Sequence, residues 1–172
     1  EKKLASGFRI ISIDLPGHGL SDSIEGTHSM ELMATVIKDL LMSLGIKKVF
    51  MTGHSLGGYI VLAFLDLYPD YLSGYSLFHS HPFEDSREAL GKRKSEIEIV
   101  NMGKENFMYA DNVIRMFAES NLEKFSEDVQ RSKEIASRIH GEGIIAVLKG
   151  MMIRPSRLAV MEEGRVPGLW IL

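Results

Sequence analysis

A short β-prone run, Lys48-Val49-Phe50-Met51-Thr52, passes through Gly53-His54-Ser55-Leu56-Gly57 directly into a second apolar run, Gly58-Tyr59-Ile60-Val61-Leu62-Ala63-Phe64-Leu65, with no loop between them. The second run is apolar all round and reads as a buried helix, so strand must become helix within a very tight turn. A serine at the apex of such a turn is held proud of the sheet on a strained backbone. Glycines two residues to either side, Gly53 and Gly57, are expected because side chains there would collide with the neighbouring strand and helix.

The flanking sequence extends this alternation. Phe8-Arg9-Ile10-Ile11-Ser12-Ile13-Asp14 reads as an apolar strand ending in an acid, followed by the turn-rich Leu15-Pro16-Gly17-His18-Gly19-Leu20-Ser21-Asp22. Ser29 can cap a helix from about Met30 to Leu44, with Leu32, Met33, Val36, Ile37, Leu40, Leu41 and Leu44 on one face and Gly45 as its stop. Tyr68-Pro69 should end the helix after the turn, and Tyr71 to His79 reads as another strand. Strands alternating with helices, apolar on both faces, predict an α/β fold with a mainly parallel sheet covered by helices on both faces.

From about Glu84 to Glu163 the character changes: no convincing strand occurs, and the segment is charged, helix-prone and punctuated by Gly103, Gly141, Gly143 and Pro155. Leu122, Phe125, Val129, Ile144, Ile145, Leu148, Met151 and Met152 supply apolar faces, with Met102, Met108 and Met116 as adaptable bulk. Val166-Pro167-Gly168-Leu169-Trp170-Ile171-Leu172 then reads as a returning strand. Gly168 stands where a β-branched residue is expected, which marks a close backbone approach.

The Asp-x-Pro-Gly-His-Gly-x-Ser loop at Asp14 to Ser21, followed by Gly53-His54-Ser55-Leu56-Gly57-Gly58, resembles the α/β-hydrolase superfamily, and within it the lid-bearing serine hydrolases. The resemblance implies that residues 1–83 are part of the hydrolase core, 84–163 a helical lid inserted between two strands, and 164–172 the return strand. It also implies that the chain is truncated at both ends, because the family's usual acid and histidine would follow Leu172 and one core strand would precede residue 1. That upstream strand would lie between the Phe8–Asp14 and Lys48–Thr52 strands.

The chemistry follows from what an isolated serine lacks: a base to take its proton, an acid to orient that base, and donors for the oxyanion. The resemblance assigns Ser55 as nucleophile and the Leu56 backbone N–H as one oxyanion donor. Asp85 is an alternative acid, because some members take theirs from just after the strand preceding the lid; otherwise Glu84 and Asp85 are solvated hinge carboxylates. His79 and His81 are expected at the lid hinge or against substrate, and His140 at a helix end. His54 is expected to pack beside the turn, His18 to stabilise its loop, and His28 to lie at the surface. The expected activity is cleavage of an ester-like bond in a small, partly apolar substrate through an acyl-enzyme. The alternative is a non-catalytic binding protein, or an incomplete fragment, on the same fold.

Composition narrows the partners. With 45% apolar and 25% charged residues and a net charge of -3, the chain suits a globular domain and offers no basic stripe for nucleic acid or anionic lipid. Without cysteine it has neither disulfides nor thiolate chemistry. No apolar run is long enough for a membrane span, and residues 1–7 do not read as a signal peptide, so a cytoplasmic location is expected. No cofactor and no metal are expected: His79-x-His81 is a minimal pair without a firm third ligand, and Gly53 to Gly58 lacks the lysine of a phosphate loop.

Overall fold

The computed structural model describes residues 7–104, 112–137 and 140–172; Met108 lies outside them. Three strands, β1 (Val49–His54), β2 (Leu72–Phe78) and β3 (Gly168–Ile171), form a parallel sheet in the order β1-β2-β3. Helix α1 (Met30–Ser43) precedes β1, and α2 (Leu56–Leu67) with a 3-10 turn at Pro69–Tyr71 carries the chain from β1 to β2. Between β2 and β3 lie α3 (Arg87–Asn101), α4 (Ser126–Ala136), α5 (Gly141–Met152) and α6 (Leu158–Glu162).

Local chemistry sets most of these boundaries. Ser29 caps α1 by accepting from the Leu32 N–H at 3.1 Å, and Gly45, at φ +66°, ends it. Ser86 caps α3 in the same way, accepting from the Ala89 N–H at 3.1 Å. Pro69 stops α2 one residue beyond its last turn.

The core is centred on α2, whose Ile60, Val61, Leu62, Ala63, Phe64 and Leu65 are all buried because α1 covers one side and β1 and β2 the other. Met30, Met33, Ala34 and Leu41 of α1 and Leu72, Tyr75 and Leu77 of β2 close around it. Each of the valine, leucine, isoleucine, phenylalanine and methionine side chains among them contributes about 1.5–3 kcal/mol by leaving water. Leu44, expected on the buried face of α1, is instead exposed, because the helix has already ended at the cap. A smaller cluster joins Val100 of α3 to Ile144 and Leu148 of α5. Met102 and Met116 are exposed rather than packed there.

The segment Phe8 to Asp14 forms no strand among the described residues, which corrects the expectation of a β-element there. A strand exists through its ladder, and among the described residues this run is part of no strand ladder; Phe8, Ile10 and Ile11 are exposed. The turn that follows is nonetheless ordered by Asp14, which accepts from the Leu20 N–H at 3.0 Å and, through its carbonyl, from the Ser21 hydroxyl at 2.7 Å.

His28 is fully buried, not at the surface. Its backbone N–H donates to Ala146 O of α5 at 3.0 Å, and its Nε2 lies 2.8 Å from Ile24 O. Gly150 of α5 makes this approach possible: a Cβ there would lie 2.5 Å from His28 C and 3.0 Å from Ser29 N, both backbone atoms that cannot rotate away. Gly150→Ala is therefore expected to destabilise the protein by about 3 kcal/mol or more, reversing the usual helical gain of alanine over glycine. Equilibrium urea unfolding checks this, and a midpoint at or above the wild type would contradict the close packing of α5 on residues 28–29.

Gly168 behaves as its sequence position suggested. A Cβ on it would meet the Tyr75 ring at 2.5 Å, so β3 reaches its register opposite Tyr75 only with glycine at this position.

Candidate active site

Ser55 sits at the junction of β1 and α2 with φ +50° and ψ -114°, in the left-handed region that L-residues avoid. The conformation is over-determined by its neighbours. Ser55 N–H donates to Phe78 O at 3.0 Å, and Ser55 O accepts from Gly58 N–H at 2.9 Å and from the Ser80 hydroxyl at 2.8 Å. The end of β2 thus grips the turn on both sides of the serine. Strain of about 1–3 kcal/mol can persist where the surroundings hold it in this way.

The glycines contribute unequally. A Cβ on Gly53 would stand 2.6 Å from Gly58 N, and one on Gly58 would overlap Ser80. A Cβ on Gly57 meets nothing within 4 Å among the described residues, so the expected collision at that position is corrected: the space constraint falls on Gly53 and Gly58.

Ser55 is exposed and its side chain makes no capping hydrogen bond to α2. Its hydroxyl is uncommitted. Leu56 is the first residue of α2, and N–H groups in the first turn of a helix have no intrahelical acceptor. A free hydroxyl therefore lies next to the Leu56 N–H at the positive end of a helix dipole, while the Gly58 N–H is taken by Ser55 O.

The histidines divide into separate groups. His54 ends β1 and lies edge-on to His79, with ring centroids 6.2 Å apart, and also against Phe78. His79 has φ +44° and donates its N–H to Ile171 O of β3 at 2.9 Å. His81 turns the other way, to the Tyr59 hydroxyl at 3.1 Å from Nε2 and onto the Phe83 ring. His79 and His81 thus share no face, because β2 has ended at Phe78. His18 Nδ1 lies 3.1 Å from Pro16 O within its own loop, as expected. His140 occupies the N-cap position of α5 without a side-chain bond to it. No group of three or more His, Cys, Asp or Glu suited to a metal ion occurs among the described residues.

Asp85 is not a solvated hinge carboxylate: its side chain is only 3% exposed and lies between two arginines. Oδ1 accepts from Arg154 Nη1 at 2.7 Å and Arg93 Nη2 at 3.1 Å, and Oδ2 accepts from Arg93 Nε. Glu84, by contrast, is exposed. Arg154 also donates to Phe83 O at 3.1 Å and Met151 O at 2.8 Å and lies over the Tyr59 ring, 3.8 Å from its centroid. Arg157 pairs with Glu31 and, at 3.4 Å, with Asp66, while its N–H donates to Pro82 O at 2.7 Å. The segment leaving β2 and the segment leaving α5 are therefore bound to each other, and the second also to α1 and α2.

Burial alone would push the Asp85 carboxyl up, but the hydrogen bonds and charges of Arg93 and Arg154 outweigh it and hold the group below the ordinary carboxylate range. A depressed folded-state value means a stabilising contribution that is complete above the unfolded value of about 3.9 and disappears as pH falls through the folded one. Urea midpoints measured between pH 7 and pH 3 are expected to fall at the acid end, and Asp85→Asn should flatten that fall while lowering the midpoint at pH 7. An equally steep fall in Asp85→Asn would show that other carboxylates carry it. Burial and the Arg154 charge lower the His81 value, against the opposing pull of Asp85, so His81 stays neutral at pH 7.

Ser80, Tyr59 and Arg154 had no sequence signal of their own. Ser80 is a lone serine between two histidines, and the arginine that meets Asp85 lies 69 residues away.

Residues 2–96 match the family model described as alpha/beta hydrolase fold, a stretch that contains the Asp14 turn, β1, the Ser55 junction, α2 and β2. Over 66 residues, 38% of this chain and 23% of the relative, the chain is 44% identical to a 2-hydroxy-6-oxononadienedioate/2-hydroxy-6-oxononatrienedioate hydrolase of Paraburkholderia phymatum. It is similar to a thermophilic esterase from Thermogutta terrifontis, with 30% identity and a TM-score of 0.92, over 98% of this chain and 62% of that one. An enol-lactonase from Burkholderia xenovorans shares the fold, with a TM-score of 0.85 at 20% identity, over 98% of this chain and 64% of that one. The chain spans about three fifths of the length of these solved relatives.

Proposed function

This chain belongs to the alpha/beta hydrolase fold family, and we propose that within it the protein is a serine hydrolase whose nucleophile is Ser55 and whose Leu56 N–H is an oxyanion donor. The observation that carries the proposal is the conformation of Ser55: an exposed, uncommitted hydroxyl on a left-handed residue between the end of β1 and a helix N-terminus. Such a turn is costly, and a serine without chemistry would gain nothing from it that glycine would not provide at lower strain.

In the proposed reaction Ser55 Oγ bonds to an ester-like carbonyl carbon while its proton passes to a base. The alcohol then leaves carrying a proton, and water adds to release the carboxylic acid. The negative oxygen of the tetrahedral intermediate is met by the Leu56 N–H, aided by the helix dipole. The base is not assigned: no described histidine hydrogen-bonds the Ser55 hydroxyl. Asp85, by its sequence position an alternative acid, is proposed as a hinge residue instead, since both its oxygens already accept from arginines.

The helices between β2 and β3 are proposed as a lid over Ser55, joined to the core at the Asp85–Arg154 and Arg157 contacts. Its substrates are proposed to be small and partly apolar. The esterase similarity spans nearly the whole chain at 30% identity, whereas the similarity to the dienedioate hydrolase is confined to 38% of it, so ester cleavage is favoured over carbon-carbon cleavage.

A fluorophosphonate probe tests the reading. It is expected to modify Ser55 in the folded full-length protein, located by peptide mass spectrometry. Failure to label would favour a non-catalytic binding protein on the same fold.

A further inference from the structure

We propose that Ser80 is a positioning residue for the oxyanion donor, its hydroxyl orienting the peptide unit that joins Ser55 to Leu56. The proposal rests on the serine-hydrolase reading of Ser55 and adds to it a residue from a different part of the chain.

The geometry centres on one carbonyl. Ser55 O accepts two hydrogen bonds, from Gly58 N–H at 2.9 Å and from Ser80 Oγ at 2.8 Å. A peptide unit is planar and trans, so its C=O and N–H point in opposite directions and cannot turn independently. Fixing the Ser55 carbonyl therefore fixes the direction of the Leu56 N–H. The Gly58 bond is a single turn contact within the same short segment and would follow any local rotation; Ser80 ties the carbonyl to another element. A second donor on the carbonyl also polarises the peptide unit and strengthens its N–H as a donor.

Ser80 is itself held firmly. It is 5% exposed, and it occupies the space that a Gly58 side chain would need. Its carbonyl accepts from Trp170 Nε1 of β3 at 2.7 Å. A continuous path of hydrogen bonds runs from β3 through Ser80 to the Ser55–Leu56 peptide. The other side of Ser55 is tied to Phe78 O, two residues before Ser80. The bland role for Ser80 is satisfaction of a buried carbonyl, which would affect stability alone. The two roles differ in what they do to the transition state, because an oxyanion donor acts there and hardly at all on bound substrate.

The test uses the full-length protein, a short-chain p-nitrophenyl ester, an alkylboronic acid as transition-state mimic, and the variants Ser80→Ala and Trp170→Phe. Rates are expressed per Ser55 titrated to completion with the fluorophosphonate, which removes any unfolded fraction. Deleting an oxyanion donor costs about 10²–10³ in kcat, and misdirecting one that remains is expected to cost about ten-fold. Ser80→Ala should lower kcat by that factor with KM little changed, and weaken boronic acid binding by a similar factor. Trp170→Phe should move both in the same direction by a smaller factor, and it keeps the proposal testable should Ser80→Ala fail to fold. Wild-type kcat and boronic acid affinity in both variants, with a lowered melting temperature only, would overturn the proposal and leave Ser55 as nucleophile. An unlabelled wild type would overturn the serine-hydrolase reading itself.

Discussion

Ser55→Ala is expected to abolish fluorophosphonate labelling and to lower ester hydrolysis by about 10⁴-fold or more, since removal of a nucleophile leaves only the catalysis that binding and oxyanion donors supply. The same position makes a second, independent statement about stability. Alanine keeps a Cβ and therefore keeps the strain of φ +50°, whereas glycine adopts that conformation freely. Ser55→Gly should accordingly be about 1–2 kcal/mol more stable than Ser55→Ala, and both should be inactive. The stability of each is read from urea unfolding and its activity from the ester assay. An active Ser55→Ala would remove Ser55 from the mechanism, and equal stability of the two variants would show that the turn relaxes instead of holding strain.

Arg154→Ala is expected to be the most destabilising substitution at the hinge, by about 3–5 kcal/mol. Its guanidinium is buried and serves Asp85, Phe83 O and Met151 O while covering the Tyr59 ring. Truncation leaves the buried Asp85 with Arg93 alone and strips a donor from each of two carbonyls, and a buried charge that loses one partner costs far more than an exposed one. Lysine cannot substitute, because it lacks the planar fork that reaches several acceptors at once. Pairing Arg154→Ala with Asp85→Asn in a double-mutant cycle isolates the contact: the two losses should be strongly sub-additive. A loss below about 1 kcal/mol for Arg154→Ala would mean that the segments leaving β2 and α5 are held together by other contacts.

The legible parts of the fold were those set by neighbours in sequence. Ser29 and Gly45 bound α1 because caps act within one turn, and the apolar run at 60–65 announced the most buried helix. The Phe8 to Asp14 strand was over-read for the complementary reason: β-prone residues supply the edge, and only a partner strand makes the ladder. His28 was expected at the surface, and Asp85 either as an alternative acid or as a solvated hinge carboxylate, since a polar side chain carries no local sign of what will pack on it. His28 is buried beneath the glycine face of α5, and Asp85 is buried because Arg154 returns to it from the far end of the inserted helices. Within the site, the sequence named Ser55 and Leu56 but gave equal weight to Gly53 and Gly57; the space constraint lies at Gly53 and Gly58.

By itself the sequence determined that a strand meets a helix at Ser55, that the elements alternate as in a parallel α/β sheet, and where most helices begin and end. These are consequences of periodicity and of hydrogen bonds spanning a few residues. Tertiary structure alone decided how the turn is held. Ser80 reaches Ser55 across 25 residues, Trp170 reaches Ser80 across 90, and Arg154 reaches Asp85 across 69. Contacts at those separations depend on strand register and helix packing, which no local pattern encodes.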